Sequence, residues 1–255
     1  TFYGKVALGA QRWIDLGSFH YQPSETMKLA LILLFTRMLM YVHREGGLGI
    51  KELAKPMIPA ILIFGLVAKQ PDLGTCLLLV AISGTIFLFL GVQKRILLTG
   101  VLTVALIAPV LWHFALKDYQ KARVEIFLEP GSDPQGAGYN SIQSKIAVGS
   151  GKILGKGFRK GTQAQLEFLP ERHTDFIFSV LSEEHGFVGS MTTVALFGVL
   201  LLMAIKIATL SRDRAGAILT VGVGGYLFWH VFVNISMVTG LLPIVGVPLP
   251  LLSYG

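Results

Sequence analysis

The densest group of reactive side chains lies between residues 161 and 179, where a polar stretch runs into an apolar one. Three carboxylates, one Arg and one His fall within nine residues of it: Glu167, Glu171, Arg172, His173 and Asp175. A carboxylate at the edge of an apolar environment is partly desolvated, which makes it a stronger proton acceptor. The stretch therefore predicts general acid–base chemistry with Asp175 as the candidate base. Capping of the following helix by Thr174 or Asp175 would explain the same pattern.

Two further polar groups stand at the beginnings of apolar segments. Glu25 precedes Lys28 by three residues, a spacing that lets the two charges pair on one helix face. A charge inside a membrane span costs about 2.5–3.5 kcal/mol, so such a charge needs a partner or a wet cavity. Asp72 stands where a helix N-terminus is expected. Glu25 and Lys28 are candidate substrate contacts, and an ordinary cap with an internal ion pair explains them equally well.

A basic segment spans residues 145–160. It contains five cations and no acid: Lys145, Lys152, Lys156, Arg159 and Lys160. Such a patch suits phosphate or pyrophosphate groups, or anionic lipid head groups. A merely solvated basic face is the alternative interpretation.

The composition indicates which elements must position these residues. Of 255 residues, 53% are hydrophobic and 15% charged, and the mean hydropathy is +0.64. A soluble domain carries about 25% charged residues, so these values indicate a polytopic membrane protein. They exclude a disordered chain, a nucleic-acid arm and an ordinary cytosolic enzyme. The sequence also contains no complete P-loop, zinc-binding helix or Gly-x-Ser-x-Gly motif.

The apolar stretches predict an all-α transmembrane bundle with about six spans. These spans are residues 26–42, 56–68, 73–91, 96–116, 176–205 and 215–241. Segment 56–68 is short, and a re-entrant or interfacial helix is its alternative. We count it as a span because only then do the clusters of Lys and Arg near residues 37–55, 94–95 and 206–214 all face the cytoplasm.

This topology places residues 1–25 and 117–175 outside the membrane. The stretch 118–175 is far longer than an ordinary connection, which marks it as functional or disordered. Its spaced aromatic and aliphatic residues favour a partly structured loop that folds back on the membrane. The acid-rich stretch and the basic segment both lie at its end, so we expect them on the extracytoplasmic side.

At these residues the sequence resembles the SEDS family (shape, elongation, division and sporulation proteins), and within it the members that act in elongation. The resemblance covers nearly the whole chain. The matching motifs are GAQRWIDLG at 9–17, QPSE at 22–25, QPDLGT at 70–75, YQ…R at 119–123, GYNSIQSK at 138–145, GKG at 155–157, GTQ at 161–163, FLPERHTDFIF at 168–178 and the stretch 234–255.

The resemblance implies a ten-helix membrane glycosyltransferase that polymerises lipid II outside the bacterial cytoplasmic membrane, for cell elongation and rod shape. Residues 1–255 would be a single membrane domain of this type and a fragment, with about six of the ten spans. The implied partners are a class B penicillin-binding protein, other proteins of the elongation machinery and membrane lipids, and no nucleic acid is expected.

The resemblance assigns the family's essential acid to Asp175, which would take the proton from the acceptor sugar's 4-hydroxyl. The leaving lipid pyrophosphate needs cationic partners. The candidates for that role are Arg123, Lys145 and Lys156, with Arg172 next. The remaining candidate substrate-binding residues are Gln163, Glu171, His173, Glu25 and Lys28. No metal-ligand set stands out, so no cofactor is assigned and a divalent cation is left open.

Two other functions fit a protein with many helices and polar residues inside its spans. A transporter (flippase) for a lipid-linked precursor predicts that function depends on Glu25 and Lys28 rather than on one loop acid. A non-enzymatic cell-wall scaffold predicts tolerance of any single polar substitution.

Overall fold

The computed structural model describes residues 5–7, 10–15, 20–42, 46–70, 72–114, 118–133, 136–165 and 173–253. These residues are overwhelmingly helical, so the predicted all-α fold is confirmed. The helices are α1 (Pro23–Leu39), α2 (Ile50–Lys69), α3 (Leu73–Leu90), α4 (Lys94–Phe114), α5 (Asp118–Leu128), α6 (Ala137–Ser150), α7 (Thr162–Gln165), α8 (Ile177–Leu210) and α9 (Arg214–Thr239), with a 3₁₀ turn at Pro130–Ser132.

A small antiparallel sheet precedes the helices. Its strands are β1 (Lys5–Ala7), β2 (Ala10–Asp15) and β3 (His20–Tyr21), in the spatial order β1-β2-β3. A register shift between Lys5 and Val6 interrupts the first pairing. The sequence predicts that this stretch lies outside the membrane, and strands are not among the elements predicted for it.

Each of the six segments predicted as spans coincides for most of its length with a helix, and only segment 56–68 lies wholly inside one. Among the described residues, three helices are long and apolar enough to cross a membrane, namely α4, α8 and α9. Residues 74–90 of α3 form a shorter apolar helix. Segment 56–68 belongs to the 20-residue helix α2, which begins earlier than predicted, at Ile50. Whether α1, α2 and α3 cross the membrane, and in which direction, stays a prediction.

The helix starts follow from local chemistry. Helix α1 begins with Pro23. Proline lacks a backbone N–H, but the N–H groups in the first turn of a helix have no acceptor within the helix, so no hydrogen bond is lost. At α2, the Gly49 N–H donates to the Glu52 carboxylate at 2.9 Å, which satisfies one otherwise free donor. Helix α3 is capped by Asp72, which accepts from the N–H and the hydroxyl of Thr75 at 3.1 and 3.0 Å. The capping role predicted for Asp72 is therefore present.

The described residues group into two compact units. The first comprises Thr1–Gly100 and Leu202–Trp229. Its core is an apolar cluster from α1, α2, α3, α9 and the residue Leu48 before α2, in which Phe35 packs on Phe87 with ring centroids 5.1 Å apart. The fully buried members of this cluster are Leu31, Ile32, Phe35, Leu39, Leu48, Ala60, Val67, Leu79, Ile82, Ile86 and Ile218.

The second unit comprises Val101–Leu201 and His230–Gly255. Helices α5 and α6 pack against each other and against the 3₁₀ turn between them. The Ser144 hydroxyl of α6 donates to the Val238 carbonyl at 3.1 Å, which ties α6 to the last turn of α9. The long stretch before α8 is therefore partly structured, as predicted, and its order is helical.

Substitution of one glycine provides a test of the helix packing in the core of the first unit. A Cβ on Gly222 of α9 would lie 2.5 Å from the Ile32 Cγ2, whereas a Cβ on Gly84 of α3 would meet nothing within 4 Å. Alanine gains up to about 1 kcal/mol of helix propensity at either site. We expect Gly222→Ala to lower the thermal unfolding temperature in detergent because overpacking costs about 1–3 kcal/mol. Gly84→Ala should leave that temperature unchanged or raise it, and equal effects of the two changes would contradict this packing.

Candidate active site

Asp175 lies in a turn at residues 173–176, just before α8 begins. The residue is half-buried. Its carboxylate faces Gly246, because a Cβ added at Gly246 would lie 3.3 Å from the Asp175 Oδ2. Gly246 has φ +69°, a backbone conformation that favours glycine. Glycine therefore serves both the turn of this segment and the close approach of the acid.

A buried amide holds this arrangement together. Asn234 of α9 is fully buried, and its side-chain N–H groups donate to the Asp175 carbonyl at 2.8 Å and to the Val247 carbonyl at 2.7 Å. One side chain thus fixes the backbone of the acid and that of the facing segment. Carbonyl groups buried without a donor cost about 1–3 kcal/mol each, so this link restrains both backbones.

A hydroxyl group makes a second link between the same two stretches. Ser253 donates to the Thr174 carbonyl at 2.7 Å and accepts from the Leu249 N–H at 2.8 Å. The His230 Nδ1 lies 3.3 Å from the Pro248 carbonyl oxygen. The proline-containing stretch 243–253 is not helical, and these contacts supply polar partners that helix geometry would otherwise provide.

The carboxylate of Glu183 is the centre of a second buried network, two turns further along α8. It is fully buried, and its Oε1 accepts from the Lys156 Nζ at 2.7 Å and from the Thr162 hydroxyl at 3.1 Å. The Gln163 N–H lies 3.2 Å from both carboxylate oxygens, and the Ser150 hydroxyl lies 3.4 Å from Oε1. We call these five residues the Glu183 cluster. Because every partner comes from residues 150–163, the cluster binds that loop to α8.

Backbone hydrogen bonds reinforce the attachment where α8 is broken. Gly186 has φ +67° and interrupts the helix. The N–H groups of Lys156 and Gly157 donate to the carbonyls of Glu183 and Glu184 at 3.0 and 2.9 Å. In the other direction, the N–H groups that follow the break donate to the carbonyls of residues 152 and 153 at 2.8 and 3.1 Å. The loop therefore supplies partners for groups that the broken helix cannot satisfy.

The predicted basic segment is divided by the structure. Lys156 is ion-paired with Glu183. Lys145 is exposed on α6, and its aliphatic chain lies over Gly240, where an added Cβ would clash with the Lys145 Cε. Lys152, Arg159 and Lys160 are exposed in the loop. The five cations therefore differ in their surroundings. Among the predicted pyrophosphate ligands, Lys145 has an ammonium group that donates no hydrogen bond within the described residues.

The other predicted site residues have separate surroundings. Arg123 is half-buried on α5, and His173 is exposed beside Asp175. Gln163 uses its backbone N–H on Glu183, while its buried Oε1 accepts no hydrogen bond from the described residues. Glu171 and Arg172 lie outside the described residues, as does Glu167. Their assigned roles stay predictions.

Glu25 and Lys28 form the ion pair that their spacing predicts, at 2.7 Å. The Lys28 side chain is 1% exposed, and its Nζ lies 5.6 Å from the centroid of the Tyr226 ring. Both contacts lie in the first unit. A role in substrate binding stays a prediction for this pair.

The described residues include no group of three or more His, Cys, Asp or Glu side chains that could hold a metal ion. The divalent cation left open by the sequence therefore has no identified ligand set in this part of the chain. Neither Asn234 nor Ser253 has an individual role predicted from the sequence. The one feature of the sequence that could have pointed to Asn234 is its side-chain amide within a helix of mostly apolar residues.

Comparisons with known proteins agree with this architecture. The FtsW/RodA/SpoVE family model, described as cell cycle protein, matches residues 1–255. The peptidoglycan glycosyltransferase MrdB of Escherichia coli K12 is 50% identical over 257 residues, covering 99% of this chain and 68% of that protein.

Two solved structures are also similar. One is a peptidoglycan synthase complex described for its coordination of polymerization and crosslinking, with TM-score 0.80 and 32% identity, covering 99% of this chain and 69% of the other. The second is the rod shape determining protein RodA of Thermus thermophilus, with TM-score 0.65 and 27% identity, covering 99% and 65%. The resemblance to the elongation members of the SEDS family is confirmed.

The Glu183 cluster gives a test of the site's stability. Glu183→Gln removes the charge that pairs with Lys156 and should destabilise the protein by about 1.5–3 kcal/mol, the usual value of hydrogen bonds to charged groups. A double-mutant cycle that combines Glu183→Gln with Lys156→Met should give a coupling energy of about 1–3 kcal/mol, measured by thermal unfolding.

Glu184→Gln is the matched control for this cycle. Glu184 is the next residue on the same helix, and its side chain makes no hydrogen bond within the described residues. We expect it to change stability by less than about 0.5 kcal/mol. A loss equal to that of Glu183→Gln would mean that the buried carboxylate does not hold the loop.

Proposed function

The chain belongs to the FtsW/RodA/SpoVE family of cell cycle proteins, and on that premise we propose that it is a peptidoglycan glycosyltransferase. It polymerises lipid II into glycan strands during cell elongation. The name of the MrdB relative, 50% identical over nearly the whole chain, supports this activity. The polymerization described for the similar synthase complex supports it as well.

Asp175 is the proposed general base. It takes the proton from the 4-hydroxyl of the acceptor sugar as that oxygen attacks the anomeric carbon of the donor, and the bond to the lipid pyrophosphate breaks. The observation that supports this assignment is the close approach of its carboxylate to Gly246. The Asn234 amide fixes this approach because it donates to the backbone carbonyls of both Asp175 and Val247. A base held by buried contacts needs little reorganisation before proton transfer.

The leaving pyrophosphate needs cations to stabilise its developing charge. We assign this first to Lys145, whose ammonium is exposed, and to Arg123 on the adjacent helix α5. Lys156 remains a candidate, although its pairing with Glu183 neutralises much of its charge. Gln163, Glu171, Arg172 and His173 complete the proposed substrate contacts of this unit, and Glu25 with Lys28 those of the first unit.

The long apolar helices and the family identify a membrane protein. We propose the bacterial cytoplasmic membrane, with Asp175 on the extracytoplasmic side. The positive-inside distribution of Lys and Arg supports this orientation. The crosslinking described for the similar synthase complex supports a class B penicillin-binding protein as the partner.

Asp175→Asn tests the base directly. Asparagine keeps the size and the capping capacity of aspartate but does not act as a carboxylate base. We expect glycan synthesis from lipid II to fall by about 10²–10⁴-fold, the usual share of a general base, while the unfolding temperature stays near wild type.

The control for Asp175→Asn is Glu184→Gln, which removes a neighbouring carboxylate. Polymerisation should remain near wild type in that variant. If Asp175→Asn also kept nearly full activity, the acid would be structural. A scaffold would show no polymerisation in the unmodified protein, and a transporter would move lipid II across a bilayer without making glycan.

Lys145→Gln tests the pyrophosphate assignment. Loss of this exposed cation should raise the KM for lipid II with little loss of stability and should weaken the dependence of binding on salt. Lys206→Gln on α8 removes a comparably exposed charge from the first unit and serves as the control. Unchanged KM and salt dependence after Lys145→Gln would assign the pyrophosphate to other cations.

A further inference from the structure

The loop that the Glu183 cluster attaches to α8 ends in an exposed apolar surface. We call residues 152–160 the tip. Three of its large apolar side chains are mostly exposed: Ile153 at 68%, Leu154 at 80% and Phe158 at 70%. Large exposed apolar side chains that lie close together in the sequence indicate a place where a protein contacts another protein or a membrane.

The tip is fixed in place against α8. The Phe187 N–H donates to the Lys152 carbonyl at 2.8 Å, and the Val188 N–H donates to the Ile153 carbonyl at 3.1 Å. These bonds join the tip to the residues that directly follow the break at Gly186. The apolar side chains of the tip are therefore presented at a defined position along α8.

That position is where the membrane-crossing part of α8 can begin. After the break, Phe187–Leu210 has about 24 residues, or about 36 Å of helix, which exceeds the hydrocarbon thickness of about 30 Å. Phe187 and Val188 are themselves 59% and 51% exposed. The apolar surface of the tip is thus joined to the exposed surface of a helix that is apolar enough to cross a bilayer.

Charge distinguishes a lipid surface from an apolar protein partner. Lys152, Arg159 and Lys160 are exposed and hydrogen-bond to no described side chain, and no acid lies within the tip. The Arg159 guanidinium lies 5.4 Å from the centroid of the Phe158 ring, so cation and apolar group share one surface. Basic residues around inserted apolar side chains are typical of segments that lie in the head-group region of anionic membranes.

The backbone gives an independent reason to assign a role to two of these cations. Lys152 and Arg159 have φ of 50° and 56°, in the left-handed region where glycine would be unstrained. Gly155 and Gly157 in the same tip show that glycine is used at other left-handed positions. A cation at a strained position indicates that the side chain has a use there.

We infer that the tip is an interfacial membrane anchor. Ile153, Leu154 and Phe158 enter the bilayer beside the first turn of the crossing part of α8, and Lys152, Arg159 and Lys160 bind the phosphates of anionic lipid head groups. The anchor fixes the height of the loop above the bilayer. The proposed lipid contacts do not include Lys156, and the anchor does not depend on the proposed catalytic role of Asp175.

The test places a fluorescent probe on the tip of the whole protein in nanodiscs. Cys76→Ser removes the sequence's single cysteine, and Leu154→Cys or Ile153→Cys introduces a labelling site. Lipids brominated on their acyl chains quench a probe inside the bilayer, whereas aqueous iodide quenches one in water. We expect bromolipid quenching to exceed iodide quenching by about two-fold or more at both sites. Strong iodide quenching with little bromolipid quenching would overturn the anchor.

The anionic part is tested by adding phosphatidylglycerol to phosphatidylcholine nanodiscs. Phosphatidylglycerol should increase bromolipid quenching when the three cations of the tip are present. It should cause no increase in the triple variant Lys152→Gln/Arg159→Gln/Lys160→Gln. The control is Lys94→Gln/Arg95→Gln/Lys206→Gln, which removes three exposed cations of the first unit and should leave the response unchanged.

Three other outcomes would count against the proposal. No response of the native tip to phosphatidylglycerol would overturn the head-group contact. An equal response in the tip triple variant would do the same. Protection of the probe from iodide only after a crosslinking partner is added would assign the surface to a protein instead.

Discussion

The full burial of the Glu183 carboxylate is the constraint on which the described architecture of the second unit depends. A buried charge is tolerated only when it is paired and hydrogen-bonded. Here all the partners come from one loop, and they include an ammonium, two hydroxyls and a backbone N–H. Because removal of any partner leaves buried polar groups unsatisfied, the loop has little freedom to leave α8. The break at Gly186 fits this arrangement, since the loop backbone satisfies groups that a continuous helix would have satisfied itself.

A buried polar group that donates hydrogen bonds also fixes the backbone at Asp175, where that group is a neutral amide. The Asn234 amide is buried inside an apolar helix, and its two N–H donors connect the backbone of the acid to that of the proline-containing stretch. Two buried polar networks therefore hold the first turns of α8, one just before the helix begins and one just before its break at Gly186. The contacts of Asn234 restrain the backbone that carries the Asp175 carboxylate.

The structure also changes how the basic segment is understood. Five cations without an acid suggest one anion-binding surface when only the sequence is considered. In the structure Lys156 is engaged with Glu183, Lys145 lies on α6 over Gly240, and the remaining three cations accompany exposed apolar side chains. One run of charge thus divides among an ion pair with Glu183, a lysine over Gly240, and three cations beside exposed apolar side chains.

The sequence by itself determined the class of protein and the approximate positions of its long helices. Apolar length and composition sufficed for these, because a bilayer requires backbone hydrogen bonds to be satisfied within each helix. Local pairs were also predictable: the spacing of Glu25 and Lys28 indicated their ion pair, and Asp72 was recognisable as a cap. The contacts of Glu183 and Asn234 were not predictable, since their partners lie far away in the chain. Only the tertiary structure decided them, because burial of a polar group is compensated by whichever donors the fold brings to it, and spacing along one chain does not specify those donors.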